Sequence, residues 1–196
     1  DAPLPEYVAR NAIGNSQGID AFLYGAAILP PIEQIGAHVA AIGHLNASPD
    51  PADGAIRNEP LVIDYYGQQF PSLALMVAAR SLNLGPKDIK VNAGESVALG
   101  SKLVRTDEQA RMFTYYYKDR GGRPAFAVDS FFDVYTGKIP ASKYADKIVL
   151  IGAVAAGIGT NQVTPISAQM NPVTTLAHSV SSLLQEHFFV APTWGG

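Results

Sequence analysis

The sequence contains no cysteine, so a disulfide framework and thiolate chemistry are both excluded, and sulfur says nothing about the redox compartment. Long apolar runs are missing too. The stretches Leu73 to Ala79 and Ile148 to Ile158 fall well short of the ~20 residues that cross a bilayer. Residues Asp1 to Arg10 lack the basic-then-apolar layout of a secretory signal, so any such segment is expected outside these residues. Charge is sparse, at 16% of residues with a net of −3. The densest basic cluster, Lys118 to Arg123, carries Asp119 within it. That leaves neither the basic face that nucleic acid requires nor the polybasic segment that anionic lipid attracts.

Catalytic signatures are also scarce. Gly152 to Gly159 is a glycine-rich run after an apolar stretch, but Gly157 is followed by Ile158 and Gly159 where a Walker loop needs Lys and then Ser or Thr. The run reads instead as a turn that lets backbone pack closely. His38, His44, His178 and His187 include no pair at i, i+4 spacing with an intervening Glu, so no zinc-hydrolase helix is present. The serines lack a Gly-x-Ser-x-Gly elbow, and no acid is marked out for paired-carboxylate chemistry. Asn46, Asp50 and Asp53 before Gly54 resemble a hard-cation loop. However, the spacing is wrong and the bidentate Glu is missing, so Asx-turns are expected there. No cofactor and no metal are expected.

What is present suits one globular domain. The chain has 196 residues, 47% of them hydrophobic, enough to bury a sizeable core. A helix is expected from about Pro31 through Ile32, Ile35 and Val39, then a short strand over Ala40 to Leu45 and a polar loop over Asn46 to Gly54. Pro60 to Tyr66 reads as a strand broken by Gly67. A helix then opens at Pro71, runs to Leu82 and stops at Gly85-Pro86. Ile89 to Val91, Val97 to Leu99, Lys102 to Val104 and Arg111 to Tyr117 read as strands. Alternation puts Tyr115 and Tyr117 on one face and Tyr116 on the other. Ala127 to Tyr135 reads as a short helix, and Ile148 to Ile151 as a strand buried on both faces. Val173 to Glu186 forms a last helix with Leu176, Val180, Leu183 and Leu184 as its stripe. The expected fold class is α/β: a central mixed β-sheet flanked by helices in a single domain over residues 1–196.

Three stretches, taken in order, carry a family resemblance. Gly43-His44-Leu45-Asn46 leads through Asp50, Asp53-Gly54 and Arg57 to Phe70-Pro71-Ser72-Leu73-Ala74. Phe126 runs through Asp133-Val134 and Gly137 into Lys147-Ile148-Val149-Leu150-Ile151-Gly152. Thr164-Pro165 is followed by Met170 to Leu184. In order and spacing these resemble the second type of CHASE domain, the extracellular sensory module of cyclases and histidine kinases, over about Gly43 to Leu184. Two positions depart from the family's pattern: Thr160 stands where an acid is common before Thr-Pro, and Leu176 where a His is common before Ala177. His178 faces elsewhere on that helix. The family's early strands are not found, which places the start of the chain inside the domain.

The resemblance implies a non-enzymatic sensor held outside the membrane, periplasmic or extracellular, and tethered to the inner membrane in its parent protein. Such a sensor detects a small ligand or an envelope protein and passes a conformational change to a cytoplasmic kinase or cyclase output domain. A homodimer is compatible with that arrangement. A sensor needs a pocket whose occupation favours one of two arrangements, and no reactive constellation. The candidate ligand-binding positions are Asn46, Asp53, Arg57 and Thr164, each with a plainer reading: a surface ion pair for Asp53 and Arg57, turn capping for Asn46 and Thr164. Two rival readings stay open, an extracytoplasmic hydrolase assembled from distant loops and a protein-interaction module.

Overall fold

A computed structural model of the chain describes residues 3–18, 21–154 and 160–190. In chain order its elements are α1 (Glu6–Ala9), β1 (Asn15–Gln17), β2 (Leu23–Tyr24), α2 (Glu33–Gly36), β3 (Ser48–Pro49), β4 (Ile56–Pro60), β5 (Val62–Tyr65), β6 (Gln68–Pro71) and α3 (Leu73–Ser81). There follow β7 (Ile89–Asn92), β8 (Ser96–Leu99), β9 (Lys102–Arg105), β10 (Arg111–Thr114), α4 (Phe131–Tyr135), β11 (Gln162–Thr164), β12 (Ser167–Met170), α5 (Pro172–Gln185) and β13 (Phe188–Phe189). The fold is α/β with mixed strand pairing, shared among several ladders. The orders are β1-β7-β8-β9, β13-β10-β4-β3, β2-β5-β6 and the hairpin β11-β12. Among the described residues, β1 with β7 and β2 with β5 are the strand pairs that run parallel.

The principal core lies where α3 and α5 pack on these ladders. Leu75, Met76, Ala78 and Ala79 of α3 meet Ile89, Val97, Leu99 and Val104 of the β7–β9 meander, with Leu61, Met112, Val180 and Leu183 closing the cluster. Ser72 starts α3 rather than Pro71. Its hydroxyl accepts the Leu75 N–H at 3.1 Å, as an N-cap should, while Pro71 ends β6 opposite Val62. The stop also comes earlier than Gly85. Asn83 takes φ 60°, the left-handed conformation that Asn tolerates past a helix C-terminus, and Leu84 N–H turns back to Ala79 O at 2.9 Å.

The β7, β8 and β9 strands fall where their sequence places them, and Tyr66-Gly67, both at positive φ, make the tight turn between β5 and β6. Four expectations are corrected. The Pro31 helix is the single turn α2, because only Gly36 of it is buried and a helix that short draws little stability from packing. Ala40 to Leu45 is not a strand: a bridge from His44 to Ser72 is its pairing. The Arg111 strand ends at Thr114, before the tyrosines. Ile148 to Ile151 pairs with no strand among the described residues, and Ile148, Val149 and Ile151 are 45%, 50% and 75% exposed. An apolar run becomes a buried strand only when a neighbour supplies its backbone partners. Ala155 to Gly159, the end of the glycine-rich run, lies outside the described residues.

Candidate functional site

Two glycines bring the walls of one cavity together. A Cβ on Gly43 would lie 2.5 Å from the Leu73 nitrogen, a distance only a glycine can accept. The chain beside it therefore runs against the head of α3: His44 N–H reaches Pro71 O at 3.0 Å, and Leu73 N–H reaches His44 O at 2.8 Å. A Cβ on Gly152 would meet the Cβ of Val173 at 2.6 Å, so the backbone after Ile151 lies on the first turn of α5. This close approach is what the glycine-rich run was expected to permit.

Between these contacts and β4 lies a cavity of about 230 Å³. Leu45, Ile56, Leu73, Val173 and Leu176 make its apolar wall, and Asn46, Asn58, Glu59, Gln162 and Thr175 its polar side. Three of those polar atoms are buried with no hydrogen-bond partner among the described residues: Asn58 Oδ1, Gln162 Oε1 and Thr175 Oγ1. Thr175 is only 5% exposed. Buried polar groups are ordinarily paired, so three orphans on residues that line one recess mark a place built for further partners.

Glu59 is the one ionisable residue on the lining among the described residues. It opens on the cavity and is only partly covered as a residue, yet packed atoms crowd its carboxyl. That desolvation pushes its pKa up to about 7, against the hydroxyls of Ser179 and Ser72, which favour the charged form. Ser179 Oγ donates to Glu59 Oε2 at 3.0 Å. Behind it, Tyr116 O–H donates to Ile56 O at 2.7 Å, and burial followed by the nearby Glu59 raises its pKa.

Two histidines, His178 and His44, are neutral parts of the packing. His178 is 1% exposed, accepts the Tyr117 N–H on Nδ1 at 3.1 Å and is lowered to about 4 by burial. Its ring stacks on Tyr117 and meets Phe126 edge-on. Burial also lowers His44 to about 4. Its Nδ1 accepts the Asn46 N–H at 3.3 Å, and its Nε2 finds no partner among the described residues. Tyr115 and Tyr117 touch edge-on at 4.9 Å while Tyr116 is buried, although the tyrosines lie past the end of β10.

Of the four candidate positions, only Asn46 reaches the cavity. Asp53 and Arg57 form a two-pronged ion pair, at 2.8 and 2.6 Å, which Asp50 joins at 3.1 Å. Asp50 and Asp53 also accept the N–H groups of Ala52 and Ala55, the Asx-turns expected of this loop. Thr164 donates to Ser167 O at 3.1 Å, inside the β11–β12 turn. Sequence reasoning missed Glu59, Asn58, Gln162, Thr175 and Ser179. One signal was available: Thr175, His178 or Ser179, and Ser182 recur at helical spacing on α5, and all four are buried.

The class defined by this arrangement is an α/β domain with a polar-tipped apolar recess set between two helix starts. The chain belongs to the CHASE2 domain family, whose model matches residues 2–196, wider than the span from which the resemblance was read. CHASE2 is a family of extracellular sensory domains found in signalling receptors, typically with cytoplasmic output domains. No curated protein and no solved structure matches the chain.

Proposed function

We propose that this chain is the extracytoplasmic sensor of a transmembrane receptor, tethered to the inner membrane, and that occupation of the cavity between the starts of α3 and α5 is the event it detects. The parent's output is a histidine kinase, a Ser/Thr kinase, or an adenylate or diguanylate cyclase. The observation that carries the reading is the placement of the orphaned polar atoms. An occupant satisfying Thr175 on α5 and Asn58 on β4 touches elements that are otherwise joined by the core and by the Ser179–Glu59 hydrogen bond. Such an occupant favours whichever helix arrangement lets it reach both, and a ligand shifts an equilibrium by just that difference in affinity. Among the four candidate positions, Asn46 contacts the ligand directly, while Asp53, Arg57 and Thr164 hold the loops around it.

The test is Ala47→Trp in the intact receptor. Ala47 is an exposed residue on the cavity rim, so a large side chain there can fill the recess while leaving the core intact. The expected result is an output fixed at one level and unresponsive to stimulus, with an unchanged circular dichroism spectrum. A folded variant that responds like the wild type removes the cavity from the mechanism.

A further inference from the structure

We propose that the cavity selects a small organic cation, an ammonium group on a compact apolar body, with Glu59 as its counter-ion and the Asn58 and Gln162 amide oxygens as further acceptors. This rests on the cavity being the sensory site.

The lining disfavours an anion and a wholly apolar ligand. Among the described residues it holds one ionisable side chain, the acid Glu59, and no Lys, Arg or His. Two helix starts border the recess, and helix starts attract anions through unpaired N–H groups, but here those groups are mostly used. Pro172 has no N–H to give, and Thr174 and Thr175 both donate to Asn171 O. On α3, Leu73 donates to His44 O, Leu75 to the Ser72 hydroxyl and Met76 to Ser72 O. An anion would therefore meet a carboxylate with few donors to offset it. A wholly apolar ligand would leave Asn58 Oδ1, Gln162 Oε1 and Thr175 Oγ1 unpaired, and orphaned buried acceptors are costly. An ammonium group supplies three donors and a positive charge, which suits two amide oxygens and one carboxylate. The cavity, at about 230 Å³, lies below the ~300 Å³ at which drug-sized pockets begin, so the apolar body is limited to about one ring or a short branched chain.

Proton competition gives the proposal a signature. The groups that face Glu59 are Ser72 at the head of α3, Ser179 on α5 and Tyr116 beyond β10. Of these only Tyr116 titrates, and its shift takes it further above the neutral range. With Glu59 holding its proton up to about pH 7, a cation must displace that proton in more acidic solution, and affinity should weaken by up to about tenfold per pH unit below it.

The experiment titrates the 196-residue chain by calorimetry with three probes of one shape: benzylammonium, benzyl alcohol and benzoate. Expected are binding of benzylammonium at about pH 8, at least tenfold weaker binding of the alcohol, none of benzoate, and the stated loss on acidification. Glu59→Gln should cost benzylammonium at least tenfold and leave the alcohol unaffected. Equal binding of alcohol or benzoate, or full cation affinity in E59Q, overturns the ligand class but leaves the cavity as a site. Absence of binding by any probe also overturns it. The sensory role is judged separately, by whether Ala47→Trp fixes the receptor's output.

Discussion

Two apolar runs of this chain met opposite fates. Leu61-Val62-Ile63 is buried almost completely, with β5 held between β2 and β6. Ile148-Val149-Leu150-Ile151 has equal hydrophobicity and lies largely exposed. Around it, Val128, Phe131, Phe132 and Tyr135 are also exposed. The side-chain polar contacts within residues 126–154 are local, such as Lys143 with Asp129 at 2.7 Å and Tyr144 with Asp129 at 2.8 Å. Hydrophobicity creates a demand for burial, and only a neighbour of matching register meets it.

The largest effect expected from this contrast is at Leu75. The side chain is fully buried on α3 between the helix and the meander. Leu75→Ala removes its transfer energy and leaves a cavity, for a loss of about 2–5 kcal/mol. Urea denaturation would measure it. A loss below about 1 kcal/mol would mean that this core is as loosely held as the segment around Ile148.

Next in size is Glu59, where the packed half holds a group that works against it. In the folded chain its pKa is about 7, against an ordinary 4.5. Between those values the fold keeps a proton that the unfolded chain has lost, so stability falls as pH rises through that window. The gap amounts to roughly 3 kcal/mol as an upper figure, because the cavity admits some solvent to the carboxyl. His178 and His44 work in the other direction. Lowered to about 4 from 6.5, they contribute stability above the unfolded value that is lost as pH falls toward 4. Glu59→Gln isolates the first contribution. It should leave stability at about pH 5 nearly unchanged and raise it by about 1–3 kcal/mol at about pH 8. Equal effects at both pH values would show a carboxylate ionised and fully compensated in the fold. A residue that lowers stability at working pH is retained where it serves a site.

The same contrast explains how far the sequence could be read. The β7–β9 meander and α3 were legible because their periodicity agrees with local turn and cap chemistry: Asn83 and Gly100 sit at positive φ, and Ser72 caps. The Ile148 run was misread because periodicity reports that a residue is apolar, never which strand will lie beside it. The site was less legible still. Asn46 was found because it stands in a polar loop that invites attention. Glu59 was not, because a lone acid in a strand looks like a solvent-facing residue until Ser179, distant in sequence, is seen to close over it. The two glycines that shape the cavity could be noticed in sequence, but their need for close approach shows only against Leu73 and Val173.

The smallest effect belongs to Ile151, and it sharpens the comparison most. At 75% exposure its side chain has little area left to lose. Although Ile151 borders the cavity, truncation to Ala should change stability by no more than about 0.5 kcal/mol. Hydrogen exchange gives the companion reading. The amides of Val149 to Ile151, outside any ladder among the described residues, should exchange far faster than those of Leu75 to Ala79 in α3, whose opening requires the core to separate. Slow exchange at Val149 to Ile151 together with a cost for Ile151→Ala near that of Leu75→Ala would show that in solution the run has found a strand partner. The two apolar segments would then differ only in where that partner comes from.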